Sequence, residues 1–355
     1  MKIPSLKIGD LTIQIPIVQG GMGVSVSKAS LASAVSLMGG LGVIASVGLG
    51  EDMSSTIPFE ERSKQALATE IREVKQQGLP VGVNVMVALT NYSDLVETCA
   101  EEGVDVLFSG AGLPLRLPEY VSDSPMKLVP IISSGRAADI VCRTWLKRFS
   151  RLPDALVVEG PMAGGHLGFK FEELMDGTAT DLETLVRETL VVADRYEQQS
   201  GRSIPVIAAG GVYTGADIAR FLNMGASGVQ MGTRFVATHE CDVSDAYKQS
   251  YLDATVDDIA LVRSPVGLPA RVIKTPFIQR SLGEKQKFSC FYKCLLTCDA
   301  KTANYCIALA LLNSARGLLE EGFPMCGQNA YRVDKIVSVR ELMQELTQEA
   351  EALLS

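Results

Sequence analysis

The sequence predicts a (β/α)8 barrel carrying a small, mainly helical C-terminal lid. Three observations predict it. Short apolar, β-branched runs recur eight times between residues 15 and 235. They are continuous rather than alternating, as strands covered on both faces require. Helix-like segments fall between them, and alternation of strand and helix argues for a parallel sheet, closed here by its eight repeats.

The runs lie at 15–21 (IPIVQGG), 41–48 (LGVIASVG), 80–87 (PVGVNVMV), 105–112 (DVLFSGAG), 128–134 (LVPIISS), 155–161 (ALVVEGP), 205–211 (PVIAAGG) and 228–235 (GVQMGTRF). Residues 59–77, 181–199 and 216–224 read as helices between strands. Beyond residue 239 the pattern changes. Residues 240–285 read as irregular and polar, a cysteine-rich segment follows, and 303–320 reads as a helix. The last helix opens on Ser338 and Glu341, the spacing of a capping box. Val339, Leu342, Met343, Leu346, Ala350 and Leu353 then follow helical periodicity. The division expected is a barrel over 1–238, a lid over 239–324 and a closing helical segment over 325–355.

The 355 residues, 47% hydrophobic, are enough for a large core. A net charge of −8 argues against nucleic acid as the partner, because phosphate binding wants a basic face. No apolar run reaches the ~18 residues of a membrane helix. The start does not read as a signal peptide. A cytoplasmic protein without membrane attachment is expected, with a small molecule as substrate and room for a homodimer. Gly40, Gly42 and Ala45 match G-x-G-x-x-A, yet the match follows a helix and opens a strand, the reverse of a dinucleotide fingerprint. Gly39 and Gly40 read better as a helix stop.

Barrels of this kind place their sites at the carboxyl ends of the strands. Several ends here finish in glycine: Gly20 and Gly21, Gly110 and Gly112, Gly164 and Gly165, Gly210 and Gly211, and Gly232. The seventh end runs into a helix start with Thr214 and Asp217 in capping spacing, and the eighth finishes in Gly232 and Thr233; backbone N–H groups at these two places, with a helix dipole, suit a phosphate cradle. The plainer reading is tight βα turns. Asn84, Gln19 and Gln230 interrupt apolar strands. A buried amide without a partner costs roughly 1–3 kcal/mol, so these should bond either neighbouring backbone or a flat heteroaromatic ring such as flavin. His166, one of two histidines, lies in the turn after strand six (VEGPMAGGHLGF, residues 158–169). Its type suits proton transfer near neutrality, or simply a bond to a ligand phosphate or backbone. His239 reads as a surface residue. Cys290, Cys294, Cys298 and Cys306 are spaced C-x3-C-x3-C-x7-C. They could hold zinc or an iron–sulfur cluster, stay as core thiols on one helical face, or form a redox-active disulfide.

Taken in order, "PIVQGGM", "GVNVM", "AGGHLG", "PVIAAGG", "VQMGTRF", "GLPARVIKTPF" and "MCGQNAYRVDKI" resemble the FMN-dependent nitronate monooxygenases, also called 2-nitropropane dioxygenases. The likeness spans nearly the whole chain. The flavin-dependent enoyl-acyl-carrier-protein reductases share these motifs. The resemblance implies FMN at the barrel mouth, with its phosphate on Gly210, Gly211, Gly232 and Thr233. It implies the ring near Gly21, Met22, Asn84 and Gln230, with Gly20, Gly164 and Gly165 among the cofactor glycines. His166 falls on the family's catalytic histidine. It would bind a nitronate anion or take the α-proton of a nitroalkane, with oxygen as co-substrate and nitrite as product. In the reductases, NAD(P)H would instead drive reduction of an enoyl thioester. A third class, a flavin and thiol redox sensor or electron-transfer partner, has no use for His166. Two features depart from the family pattern: Met162 stands where the family often has glutamate, and the cysteine segment is the second departure.

Overall fold

The computed structural model describes residues 1–51, 56–121, 124–283, 285–286, 288–290 and 293–354. The chain opens with a hairpin, β1 (Leu6–Ile8) and β2 (Leu11–Ile13), turned at Gly9 with φ +59°. The barrel follows as β3 (Ile17–Gln19), α1 (Ala29–Leu37), β4 (Val43–Ala45), α2 (Phe59–Lys75), β5 (Gly82–Met86), α3 (Tyr92–Glu101), β6 (Val106–Gly110), β7 (Lys127–Ile132), α4 (Gly135–Phe149) and β8 (Leu156–Glu159). A two-residue strand, β9 (Gly165–His166), and α5 (Phe171–Met175) precede α6 (Leu182–Ser200), β10 (Val206–Ala209), α7 (Gly215–Asn223), β11 (Gly228–Met231) and α8 (Thr233–Val236). A 3-10 turn at Leu117–Tyr120 stands where a helix would join β6 to β7.

Eight parallel strands run in the order β3, β11, β10, β8, β7, β6, β5, β4. A parallel bridge between Val18 and Leu41 joins the two ends, with Gln19 N–H donating to the Leu41 carbonyl at 2.9 Å. The sheet therefore closes, as eight continuous apolar runs predict. The interior is filled by Val18, Leu41, Val43, Val106, Phe108, Val129, Val157 and Ile207. Leu6, Ile8 and Ile13 of the hairpin join this cluster and stopper one end of the barrel. Burying each such side chain stabilises by about 1.5–3 kcal/mol. The other core lies between the strands and the helix ring, where Leu67, Ile71, Trp145, Leu185 and Phe221 are buried.

Several expectations needed correction. The eighth strand stops at Met231, and residues 233–236 turn into α8. Residues 240–285 are neither irregular nor uniformly polar. They hold α9 (Asp245–Asp253), β12 (Ile259–Arg263), β13 (Pro269–Ile273) and α10 (Pro276–Gly283). β12, β13 and β9 form a three-stranded antiparallel sheet, because β13 buries all five residues while donating its second edge to β9. The helix expected over 303–320 is confined to α11 (Ile307–Ala315). The last helix, α12 (Val339–Leu353), carries the expected Ser338–Glu341 capping box and packs on α7 and α1. The Gly40–Ala45 stretch runs from the end of α1 into β4, with Gly39 in the left-handed conformation (φ +86°) of a helix stop.

Among its described residues the cysteine segment is not helical. Lys293 is left-handed (φ 44°), and the backbone bonds across to another loop: Thr90 N–H to the Cys294 carbonyl (3.1 Å) and Leu296 N–H to the Ala88 carbonyl (2.9 Å). The i, i+4, i+8 thiols are thus not stacked on one helical face. Cys290, Cys294, Cys298 and Cys306 are free thiols, and among the described residues no three His, Cys, Asp or Glu side chains are grouped so that they could hold a metal ion. Among those residues, too, no helix is long and apolar enough to cross a membrane.

Candidate active site

The carboxyl ends of the strands open into one cavity of about 280 Å3. Gly20, Gly21, Met22, Asn84, Gly164, Gly165, His166, Gly210, Gly211, Gln230, Gly232 and Thr233 all lie on its wall. His239 is exposed and apart from it.

His166 sits on β9, where Ala270 of β13 pairs with it across the small sheet. Its Nε2 is 2.8 Å from the Ser264 Oγ, in the turn that follows β12. Nδ1 has no protein partner among the described residues. Desolvation holds the ring well below its usual pKa, down to about 4. His166 is therefore a neutral imidazole at physiological pH, a hydrogen-bonding group and a weak base. Glu159, at the end of β8, shares the wall, and burial pushes its carboxyl up to about 7. Met162, in the position of the family glutamate, is 40% exposed, so Glu159 is the nearest carboxyl this stretch brings to the cavity.

The amides divide. Gln19 is fully buried, and its side chain bonds the Gly20 carbonyl and the Val43 N–H, 3.1 Å away. It is structural. Asn84 and Gln230 face the cavity, and their side-chain amides have no protein partner among the described residues. The glycines divide too. A Cβ on Gly21 would lie 2.4 Å from the Asn84 Cβ, and one on Gly164 would lie 2.7 Å from backbone at Cys326 and Gly327. These two are required by packing. Gly210 (φ +86°) and Gly211 (φ +110°) take a backbone conformation open to glycine, at the end of β10.

The helix-dipole reading fails at α7. Asp217 accepts from the Tyr213 and Thr214 N–H groups at 3.0 Å each, and Glu349 accepts from Gly215 N–H at 2.8 Å. Protein carboxylates already occupy the end of that helix. That leaves the glycine turns beside it and the start of α8, which has no side-chain cap, open to an anion.

Sequence reading missed the strap formed by Met325, Cys326, Gly327 and Asn329. Asn329 Nδ2 donates to the Gly211 carbonyl at 2.9 Å, and Gln328 N–H donates to the Met162 carbonyl at 3.0 Å. A Cβ on Gly327 would lie 2.7 Å from Thr233 Oγ1. The strap thus presses the β8, β10 and β11 ends together. Its signal was the "MCGQNAYRVDKI" motif, which carried no role. Ser264 and Arg271 left no local signal, since their partners lie 98 and 108 or 110 residues away.

A closed (β/α)8 barrel whose mouth gathers glycine turns, cavity-facing amides and a desolvated histidine is a barrel with a built ligand site at its carboxyl end. The family model for nitronate monooxygenase matches residues 5–349. The chain belongs to the nitronate monooxygenase family, a family of flavin-dependent oxidoreductases. It is 32% identical over 300 residues to the nitronate monooxygenase of Pseudomonas aeruginosa, covering 74% of this chain and 79% of that one. It is also 32% identical over 268 residues to a Mycobacterium tuberculosis enzyme, (3aS,4S,5R,7aS)-5-hydroxy-7a-methyl-1-oxo-octahydro-1H-indene-4-carboxyl-CoA dehydrogenase. That match covers 76% of this chain, which spans only 65% of the relative's length. Among solved structures, FabK from Thermotoga maritima superposes with a TM-score of 0.74 at 30% identity, covering 95% of this chain and 93% of that one.

Proposed function

We propose that this chain binds FMN and oxidises alkyl nitronates with oxygen, giving a carbonyl compound and nitrite. His166 carries the reading. A neutral imidazole fixed by Ser264 can donate a hydrogen bond to an anionic nitronate oxygen, but it is too weak a base to favour taking a proton from a nitroalkane. The substrate is accordingly the preformed anion.

The residues present fit the cofactor. Asn84 and Gln230 offer unpaired amide groups to a heteroaromatic ring lying along Gly20, Gly21 and Met22. Gly210, Gly211, Gly232 and Thr233 would hold the phosphate, with Gly164 and Gly165 closing that end. Bound FMN supplies the electron acceptor and the reactivity toward oxygen. The chain excludes water through the strap and orients the nitronate on His166.

A second reading has an observation of its own. Beyond these polar groups the cavity continues between Phe59, Leu89, Leu295, Leu311 and Leu312. That is more apolar wall than a short nitronate requires, and it would suit the acyl part of a thioester reduced with NAD(P)H. Nitrite release and oxygen uptake with a primary alkyl nitronate, in the absence of NAD(P)H, test the first reading. Absence of nitrite together with NAD(P)H-dependent loss of an enoyl thioester would transfer the assignment to the second.

A further inference from the structure

Arg271, on β13, is 4% exposed, and among the described residues no carboxylate pairs with it. Its Nε is buried without a partner. A lone buried cation is costly unless it serves something. Its Nη1 donates to two carbonyls of the turn before His166: Pro161, at 2.9 Å, and Ala163.

Those two bonds fix the direction of two donors. The peptide unit is planar and trans, so each N–H points opposite to its own C=O. With the Pro161 and Ala163 carbonyls drawn to Arg271, the N–H groups of Met162 and Gly164 point away from it. Neither has an acceptor among the described residues, although the neighbouring Ala163 N–H does (Gly160 carbonyl, 3.1 Å). Both residues line the cavity. Their surroundings also converge on the glycine turns. A Cβ on Gly211 would meet Met162 at 3.1 Å, and Gly164 and Thr233 both press on Gly327.

We infer that Arg271 is a positioning residue for the cofactor phosphate: it aims the Met162 and Gly164 N–H groups at that monoester and polarises both peptides toward it. This rests on the FMN reading above and not on the choice of substrate. Two charge-assisted donors backed by a desolvated cation make the phosphate, rather than the ring, the part of FMN that senses Arg271.

The test compares FMN with riboflavin, which lacks the phosphate. Flavin-fluorescence titration of the apoprotein should show FMN binding more tightly. Arg271→Met should reduce FMN affinity on the order of tenfold or more while leaving riboflavin affinity unchanged. Equal loss of both flavins, or undiminished FMN affinity, would overturn the inference and leave the flavin reading standing. Should Arg271→Met not fold, amide spectra of the unaltered chain decide the question. The Met162 and Gly164 N–H resonances should differ between riboflavin-loaded and FMN-loaded protein, and unmoved resonances overturn the inference. Binding of neither flavin by the unaltered chain would remove this inference and the FMN reading together.

Discussion

The two sides of the barrel mouth are built by opposite means. On the β8, β10 and β11 side, backbone is pressed against backbone. Gly164 abuts Cys326 and Gly327, Asn329 holds the Gly211 carbonyl, and Arg271 grips the turn before His166. On the β4, β5 and β6 side the cavity meets side chains instead: Phe59, Leu89 and, from the cysteine segment, Leu295. The roof there hangs on a few bonds to residues 88–90. The first construction fixes polar groups to within the tolerance a charged ligand demands. The second offers an apolar surface that can be reshaped without disturbing it. Under the proposed function, the phosphate end of the cofactor and the histidine would sit on the rigid side, and the alkyl part of the substrate on the adjustable one.

The sharpest way to break this division is His166→Asn. Flavin should be retained while nitronate turnover falls by about 10²- to 10³-fold, the loss typical of removing one hydrogen-bond donor to an oxyanion, read by nitrite release. Undiminished turnover would take His166 out of the reaction. Because the histidine titrates near 4, the kcat profile of the unaltered chain on preformed nitronate should show no inflection near pH 6.5. An inflection there would mean a solvated, ordinary histidine.

Next in size is Gly164→Ala. Its Cβ would lie 2.7 Å from backbone on the strap, and backbone cannot step aside cheaply. A stability loss of about 1–3 kcal/mol is expected by denaturant titration, with weakened flavin binding. On the other side, Leu311→Ala should leave flavin affinity intact and shift KM between short and long alkyl substrates by several-fold to about tenfold. Equal effects of both changes on flavin binding would erase the distinction between the sides.

A smaller effect concerns pH. Between pH 4.5 and about 7 the folded chain holds a proton on Glu159 that the unfolded chain releases, so this group makes stability fall as pH rises. His166 does the reverse between about 4 and 6.5, where the unfolded chain takes up the proton first. The two windows overlap and oppose. Glu159→Gln should therefore leave a chain whose Tm drops more steeply on acidification from pH 6.5 to 4.5 than that of the unaltered protein. Parallel Tm curves would show that Glu159 is solvated and ordinary. The smallest effect is expected at the cysteines. Replacing Cys290, Cys294, Cys298 and Cys306 by serine should leave flavin affinity unchanged, and elemental analysis of the unaltered chain should find no stoichiometric metal.

The contrast also explains what the sequence could reveal. The eight strands were legible because burial on both faces demands continuous apolar runs. His166, Asn84 and Gln230 were legible because polar residues at the ends of such runs need a reason. Glu159 ended the VVE run just as visibly, but a glutamate is ordinary enough to pass. Gln19 looked like a ligand group and proved structural, since only the closed barrel brings the Val43 N–H within reach. The Ser264–His166 bond and the Arg271 grip depend on a small sheet assembled from segments about a hundred residues apart. The cysteine spacing imitated a helix, yet the chain there bonds sideways to residues 88–90 rather than along itself.

Under the proposed function the site takes electrons from a nitronate. Anaerobic stopped-flow absorbance of the FMN-loaded protein, mixed separately with an alkyl nitronate and with NAD(P)H, tests it most directly. Flavin reduction by the nitronate and not by NAD(P)H is the result this account predicts. Reduction by NAD(P)H alone would contradict it.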